Sequence, residues 1–134
     1  MIEKEIIDYL ESDSTLDILL NSSVSDTKIY PIIPRKIPTP PYILYKVGIG
    51  ELDETLDEDR IQIDIAATTI ELARSIRNRI KILLDKQDRI QDYILSDNNI
   101  IYYSKLTSGD EMYLSERQLW IVVMYFNIKY KSKS

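Results

Sequence analysis

The 134-residue sequence predicts an α+β fold: an antiparallel β-sheet with two main helices packed on one of its faces. Three observations predict it. The chain holds 23 Ile against 3 Ala, and Tyr supplies 10 of its 12 aromatic residues, a composition suited to pleated, half-buried surfaces. Two segments carry apolar residues at the 3.6-residue period of a helix. Between and after them the period falls to two, the spacing of strands with one covered face.

The N-terminal helix is expected over residues 2–20. Ile2, Ile6, Tyr9 and Leu10 form one stripe, with Glu3, Lys4, Asp8 and Glu11 outside it. Ser12-Asp13-Ser14 interrupts the stripe and can cap a second short turn, in which Leu16, Leu19 and Leu20 face inward. The long helix is expected over residues 69–86, with Ile70, Ala73, Ile76, Ile80, Leu83 and Leu84 on its buried side. Thr68 and Glu71 have the spacing of a capping box at its start.

Strands follow from alternation. Tyr42 to Ile49 follows a stretch holding Pro31, Pro34, Pro38, Pro40 and Pro41, which can neither continue a helix nor donate to a sheet ladder. Arg60 to Ala66 places Ile61, Ile63 and Ile65 on one face and Gln62 and Asp64 on the other. Ile100 to Leu106 and Gln118 to Tyr130 complete the sheet, with Ser108-Gly109-Asp110 as the expected turn and a weaker strand near Tyr93 to Leu95. Residues 1–130 read as one domain and residues 131–134 as a basic tail.

Leu119 to Phe126 is apolar on both alternating faces. Two readings fit: a central strand covered on both sides within the chain, or a strand whose second face is covered by another protomer. This run of eight residues is far shorter than the ~20 a membrane helix needs, and the charged N-terminus is no signal peptide. The expectation is a soluble protein made in the cytoplasm, with no membrane partner.

Charge is polarised. The net charge is −5, with −8 on residues 1–59 and +3 on residues 60–134. Glu51, Asp53, Glu54, Asp57, Glu58 and Asp59 crowd between two expected strands, while Arg74, Arg77 and Lys81 share one side of the long helix beside Arg79 and Lys86. Either group can be a plain solvated surface. Together they also suit a head-to-tail contact in which one copy's negative side meets the next copy's positive side.

With no His and no Cys, most nucleophile–base pairs, thiolate chemistry and soft metal sites are excluded, so a non-enzymatic protein without cofactor or metal is expected. Asp53, Asp57 and Asp59 offer hard oxygen ligands, but the segment lacks the glycine and ligand spacing of an EF-hand. Asp59 and Asp64 as a catalytic carboxylate pair would need a cleft that nothing in the sequence indicates. Tyr42, Tyr45, Tyr102 and Tyr103 have the chemistry to stack bases, yet a pI near 4.8 opposes phosphate binding.

The segment from Ile29, Tyr30 and Pro31 to Pro41, Tyr42 and Tyr45, then Arg60, Gln62 and Asp64, then Ala73 and Leu83, resembles in order and spacing the tail completion proteins of long-tailed bacteriophages. The resemblance covers roughly residues 1–130. It implies a virion protein, related in fold to tail terminators, that caps the head-proximal end of the tail tube. It also implies a ring of six that is monomeric when free, with the tube protein and the head connector or stopper as partners and DNA only passing through. In that setting the acidic segment becomes a lumen or interface element and the basic stripe an inter-subunit contact. The other reading is a free-standing α+β adaptor or regulatory binding domain.

Overall fold

The computed structural model describes residues 3–23, 25–31, 38–52, 57–86 and 99–132. Helices α1 (Glu3–Glu11) and α2 (Ser14–Leu20) lead into β1 (Ile29–Pro31). Strands β2 (Tyr42–Leu52) and β3 (Asp57–Ala67), helix α3 (Ile70–Leu84), and strands β4 (Asn99–Leu114) and β5 (Leu119–Ser132) follow. The strands form one sheet in the order β1-β2-β3-β5-β4. The expected α+β class holds, with one difference: β1 runs parallel to β2, pairing Ile29 with Ile43 and Pro31 with Tyr45, so the sheet is mixed.

The helix expected over residues 2–20 is two helices, because Asp13 breaks it. Asp13 has extended backbone and its carboxylate accepts the Leu16 N–H at 2.8 Å, satisfying a donor that the first turn of α2 leaves free. Asn21, at φ 54°, closes α2 in the left-handed conformation that Asn tolerates. The long helix begins one residue later than the capping-box spacing placed it. Thr69, not Thr68, is the cap, its hydroxyl accepting the Leu72 N–H at 3.2 Å. It also ends at Leu84, so Asp85 and Lys86 are free to reach the sheet.

Alternation sorts the strands as expected. Ile43, Ile61, Ile63, Ile65, Val122, Met124, Phe126 and Ile128 face the helices, where they pack with Ile6, Leu10, Leu16, Leu20, Ala73, Ile76 and Ile80 in one core. All of these positions have no measurable exposure or nearly none, and each buried Ile or Leu contributes roughly 1.5–3 kcal/mol of transfer free energy.

The sharpest departure is the β4–β5 turn. It is not Ser108-Gly109-Asp110 but residues 115–118, with Gln118 at φ 54°. The polar triplet lies inside β4, next to a bulge at Thr107 where the register shifts between Leu106/Phe126 and Ser108/Tyr125. Gly109 answers to close approach rather than to a turn: a Cβ there would stand 2.7 Å from the Val123 carbonyl oxygen. β5 runs on to Ser132, past the point where the tail was expected. The strand expected near Tyr93 to Leu95 lies outside the described residues.

Candidate functional site

Pairing of Glu111 with Val122 puts Glu111 on the helix-covered face of β4, below the exposed side of α3. Arg74 and Arg77, one helical turn apart, both reach it. Arg74 donates from Nε to Glu111 Oε2 at 2.8 Å and from Nη2 to Oε1 at 3.0 Å, a two-pronged pair, while Arg77 Nη1 reaches Oε2 only at 3.4 Å. The Arg74 hydrogen bond holds the Glu111 carboxyl below the ordinary carboxylate range. Two of the three residues of the basic stripe are thus engaged within the chain by one carboxylate. Lys81, on the next turn, is exposed. Arg79 leaves the stripe altogether: its Nε and Nη2 donate to the Asp13 oxygens at 2.9 and 2.7 Å, tying α3 to the cap of α2.

The acidic segment is divided by the fold. Asp57, Glu58 and Asp59 are not in a loop but at the start of β3, and Glu58 and Asp59 are buried at 7% and 3% exposure. Glu51 is the last residue but one of β2, and Asp53 and Glu54 lie outside the described residues. Asp59 faces the helices and accepts a hydrogen bond from the Tyr130 hydroxyl at 3.3 Å. Among the described residues no group of carboxylates has the geometry to hold a metal ion.

Burial, reinforced by Asp59 and Asp57, pushes the Tyr130 hydroxyl up to about 12. The folded chain therefore keeps this proton above pH 10, where an unfolded tyrosine releases it. The stability this contributes is fully present below pH 10 and is lost as pH rises toward 12. Tyr30, raised to about 12 by burial and by its bond to Asp26, loses stability in the same window. Urea titrations at pH 9 and pH 11.5 should show a fall in unfolding free energy that is smaller in Tyr130→Phe; an equal fall would place the effect elsewhere.

The opposite face of the sheet has a second, smaller cluster contributed by strands alone: Tyr42, Ala66 and Leu119, with Tyr30, Leu44 and Ile121 against them. Register extends it to Met112 beside Ile121, and to Tyr125 four residues along β5, 44% and 40% exposed. Further along, the face turns polar through Gln62, Arg60 and Asn127 to Lys129, whose ammonium lies 5.5 Å from the centre of the Tyr103 ring. So β5 is an interior strand, paired on both sides, and its second face is buried among strand side chains at one end and exposed at Tyr125. The two readings of its double apolar pattern each describe part of it.

A cavity of about 620 Å³ lies between α3 and the β4–β5 pair, where Gly109 leaves the layer thin; Arg77, Leu106, Glu111, Val122 and Met124 are among its walls. The ionisable residues among its described walls are Arg77, Asp110 and Glu111.

The chain is therefore an α+β sheet domain with one helix-covered face, a second face that among the described residues is buried around Tyr42, Ala66 and Leu119 and exposed at Met112 and Tyr125, and basic residues partly paired within the chain. No family model and no curated protein matches it. Among solved structures it is similar to a chain of the "virion of native gene transfer agent (GTA) particle", with a TM-score of 0.68, 12% sequence identity, and coverage of 93% of this chain and 90% of that one. At that identity the two share a fold.

Proposed function

We propose that this chain is a virion structural protein, without catalytic activity, that caps the head-proximal end of a phage tail tube as a ring and docks it to the head connector or stopper. The observation that carries the reading is the exposed apolar pair Met112 and Tyr125 beside the Tyr42, Ala66 and Leu119 cluster, in a fold shared over nearly its whole length with a chain of a gene transfer agent virion. A ring of six presents that patch six times, so patches too small to hold a dimer suffice once a tube end supplies matched sites. Lys81 and the acidic residues Glu51, Asp53 and Glu54 are the proposed inter-subunit charges. Arg74 and Arg77 contribute there only with the charge Glu111 leaves uncompensated, and Glu58 and Asp59 serve the fold.

The test is in vitro joining. Purified chain added to heads and tails that lack it should restore infectious particles. Met112→Lys with Tyr125→Lys, both on exposed positions, should keep the fold by circular dichroism and lower the restored titre by at least about a hundredfold, as expected when charge is placed in an apolar contact. Full titre with the double variant, or wild-type chain absent from the restored particles, overturns the reading. Restoration failing while the chain binds a non-virion protein would favour the adaptor instead.

A further inference from the structure

The two edges of the sheet are unequal. β1 is three residues long and ends in Pro31, which has no N–H to offer. β4 is sixteen residues long, and the described residues close only part of its outer edge. Lys86 and Ser104 exchange backbone hydrogen bonds at 2.9 and 2.8 Å, and the Asp85 carboxylate takes the Leu106 N–H at 3.2 Å. Beyond the bulge, residues 108–114 keep unbroken register with β5 on their inner side, and all but half-buried Glu111 are exposed. Every second residue of this stretch turns its N–H and C=O outward, a seven-residue template with no described element along it.

The cavity beneath Arg77 lies on the helix-covered side of this same stretch, walled by Gly109 and Glu111. A strand laid along β4 projects alternate side chains over it. Charge selects among occupants. Arg74, Arg77 and, one turn further on, exposed Lys81 stand against Glu111 and Asp110, and Arg77 holds Glu111 only at 3.4 Å, so the site keeps one positive charge over. A second copy suits it poorly, because pairing 108–114 with itself about its midpoint sets Glu111 directly against Glu111.

We infer that residues 108–114 form a strand-addition site for an extended, carboxylate-bearing segment of a partner protein, whose apolar side chains enter the cavity while its carboxylate meets Arg77. This stands whether or not the chain caps a tail. The probe is the blocked peptide acetyl-Thr-Val-Thr-Asp-Thr-Val-Thr-amide, which puts Val, Asp and Val on one face, with its Asp→Asn counterpart as control. Titrated into isotopically labelled chain, the Asp peptide should give saturable amide shifts confined to residues 108–114 and the turn of α3 around Arg77. Binding should weaken about tenfold with the Asn peptide and with Arg77→Gln, the loss of one charge-assisted hydrogen bond. Absence of saturable shifts at millimolar peptide, equal affinity for the two peptides, or self-association of the chain through 108–114 would each overturn the assignment. Because the peptide pair is compared on unaltered chain, the result does not depend on Arg77→Gln folding.

Discussion

Phe126→Ala should lower the unfolding free energy by about 3–5 kcal/mol, the range for removing a fully buried phenylalanine. Domains of this size hold only about 5–15 kcal/mol in total, so the loss takes a large share of the whole and, at the low end of that range, leaves the variant close to unfolded at room temperature. Phe126 is the largest of the fully buried side chains among the described residues, and it sits in the middle of the interior strand β5, opposite Ile61 on β3 and Leu106 on β4. Neither neighbour can close the gap, because both are fixed by the ladders on each side of β5. Tyr125→Ala is the matched control: one residue away, on the opposite face, it should cost less than about 1 kcal/mol. Urea denaturation followed by far-ultraviolet circular dichroism measures both. A loss below about 1 kcal/mol at Phe126 would mean that the core is not packed as described.

Asp13→Ala should be the most damaging change among the charged residues. One carboxylate does two jobs: it caps α2 through the Leu16 N–H, and it holds the Arg79 guanidinium of α3 by two short hydrogen bonds. Loss of the cap alone costs about 1 kcal/mol, and the ion pair adds to it because Asp13 is largely shielded from water. The hydrogen bond from Arg79 is the main reason the Asp13 carboxyl titrates below its ordinary value. Its contribution is therefore complete above the unfolded aspartate pKa, near 4, and disappears as acid protonates the folded carboxyl. Wild type should lose stability below about pH 4 more steeply than Asp13→Asn, and Arg79→Gln should shift the wild-type profile toward that of the variant. Parallel profiles for all three chains would show that the pair contributes nothing.

Periodicity is where the sequence was most legible. The buried sides of α3 and β3 are the residues their spacing marks, since a period of 3.6 or 2 is imposed locally by the backbone and shows in every turn or pair. Asp13 as a helix breaker was also legible, as a cap is a one-residue signal. Its pairing with Arg79, 66 positions away, was not, because nothing local encodes which cation a carboxylate meets after folding. Ser108-Gly109-Asp110 misled for a physical reason: glycine marks both turns and close backbone approach, and here it is the second. The same limit applies to the charge clusters. Their composition was plain, but whether Arg74 faces a neighbour or Glu111, and whether Glu58 and Asp59 lie in water or in the sheet, depends on strand register.

Strand order has a consequence for synthesis. β3 finds its second neighbour only in β5, so Ala67 must wait for Trp120, and Asp57 for Tyr130, while α3 and β4 are made in between. On the ribosome, the β2–β3 ribbon emerges with one flank unsatisfied and with α3 not yet made to complete the cover that α1 and α2 give its isoleucines. The nascent chain therefore carries a sticky intermediate through much of its translation, and such long-range closure is intrinsically slow. Completion of β5 joins the β2–β3 ribbon to β4 in a single sheet, the step at which the two halves of the strand layer first become cooperative.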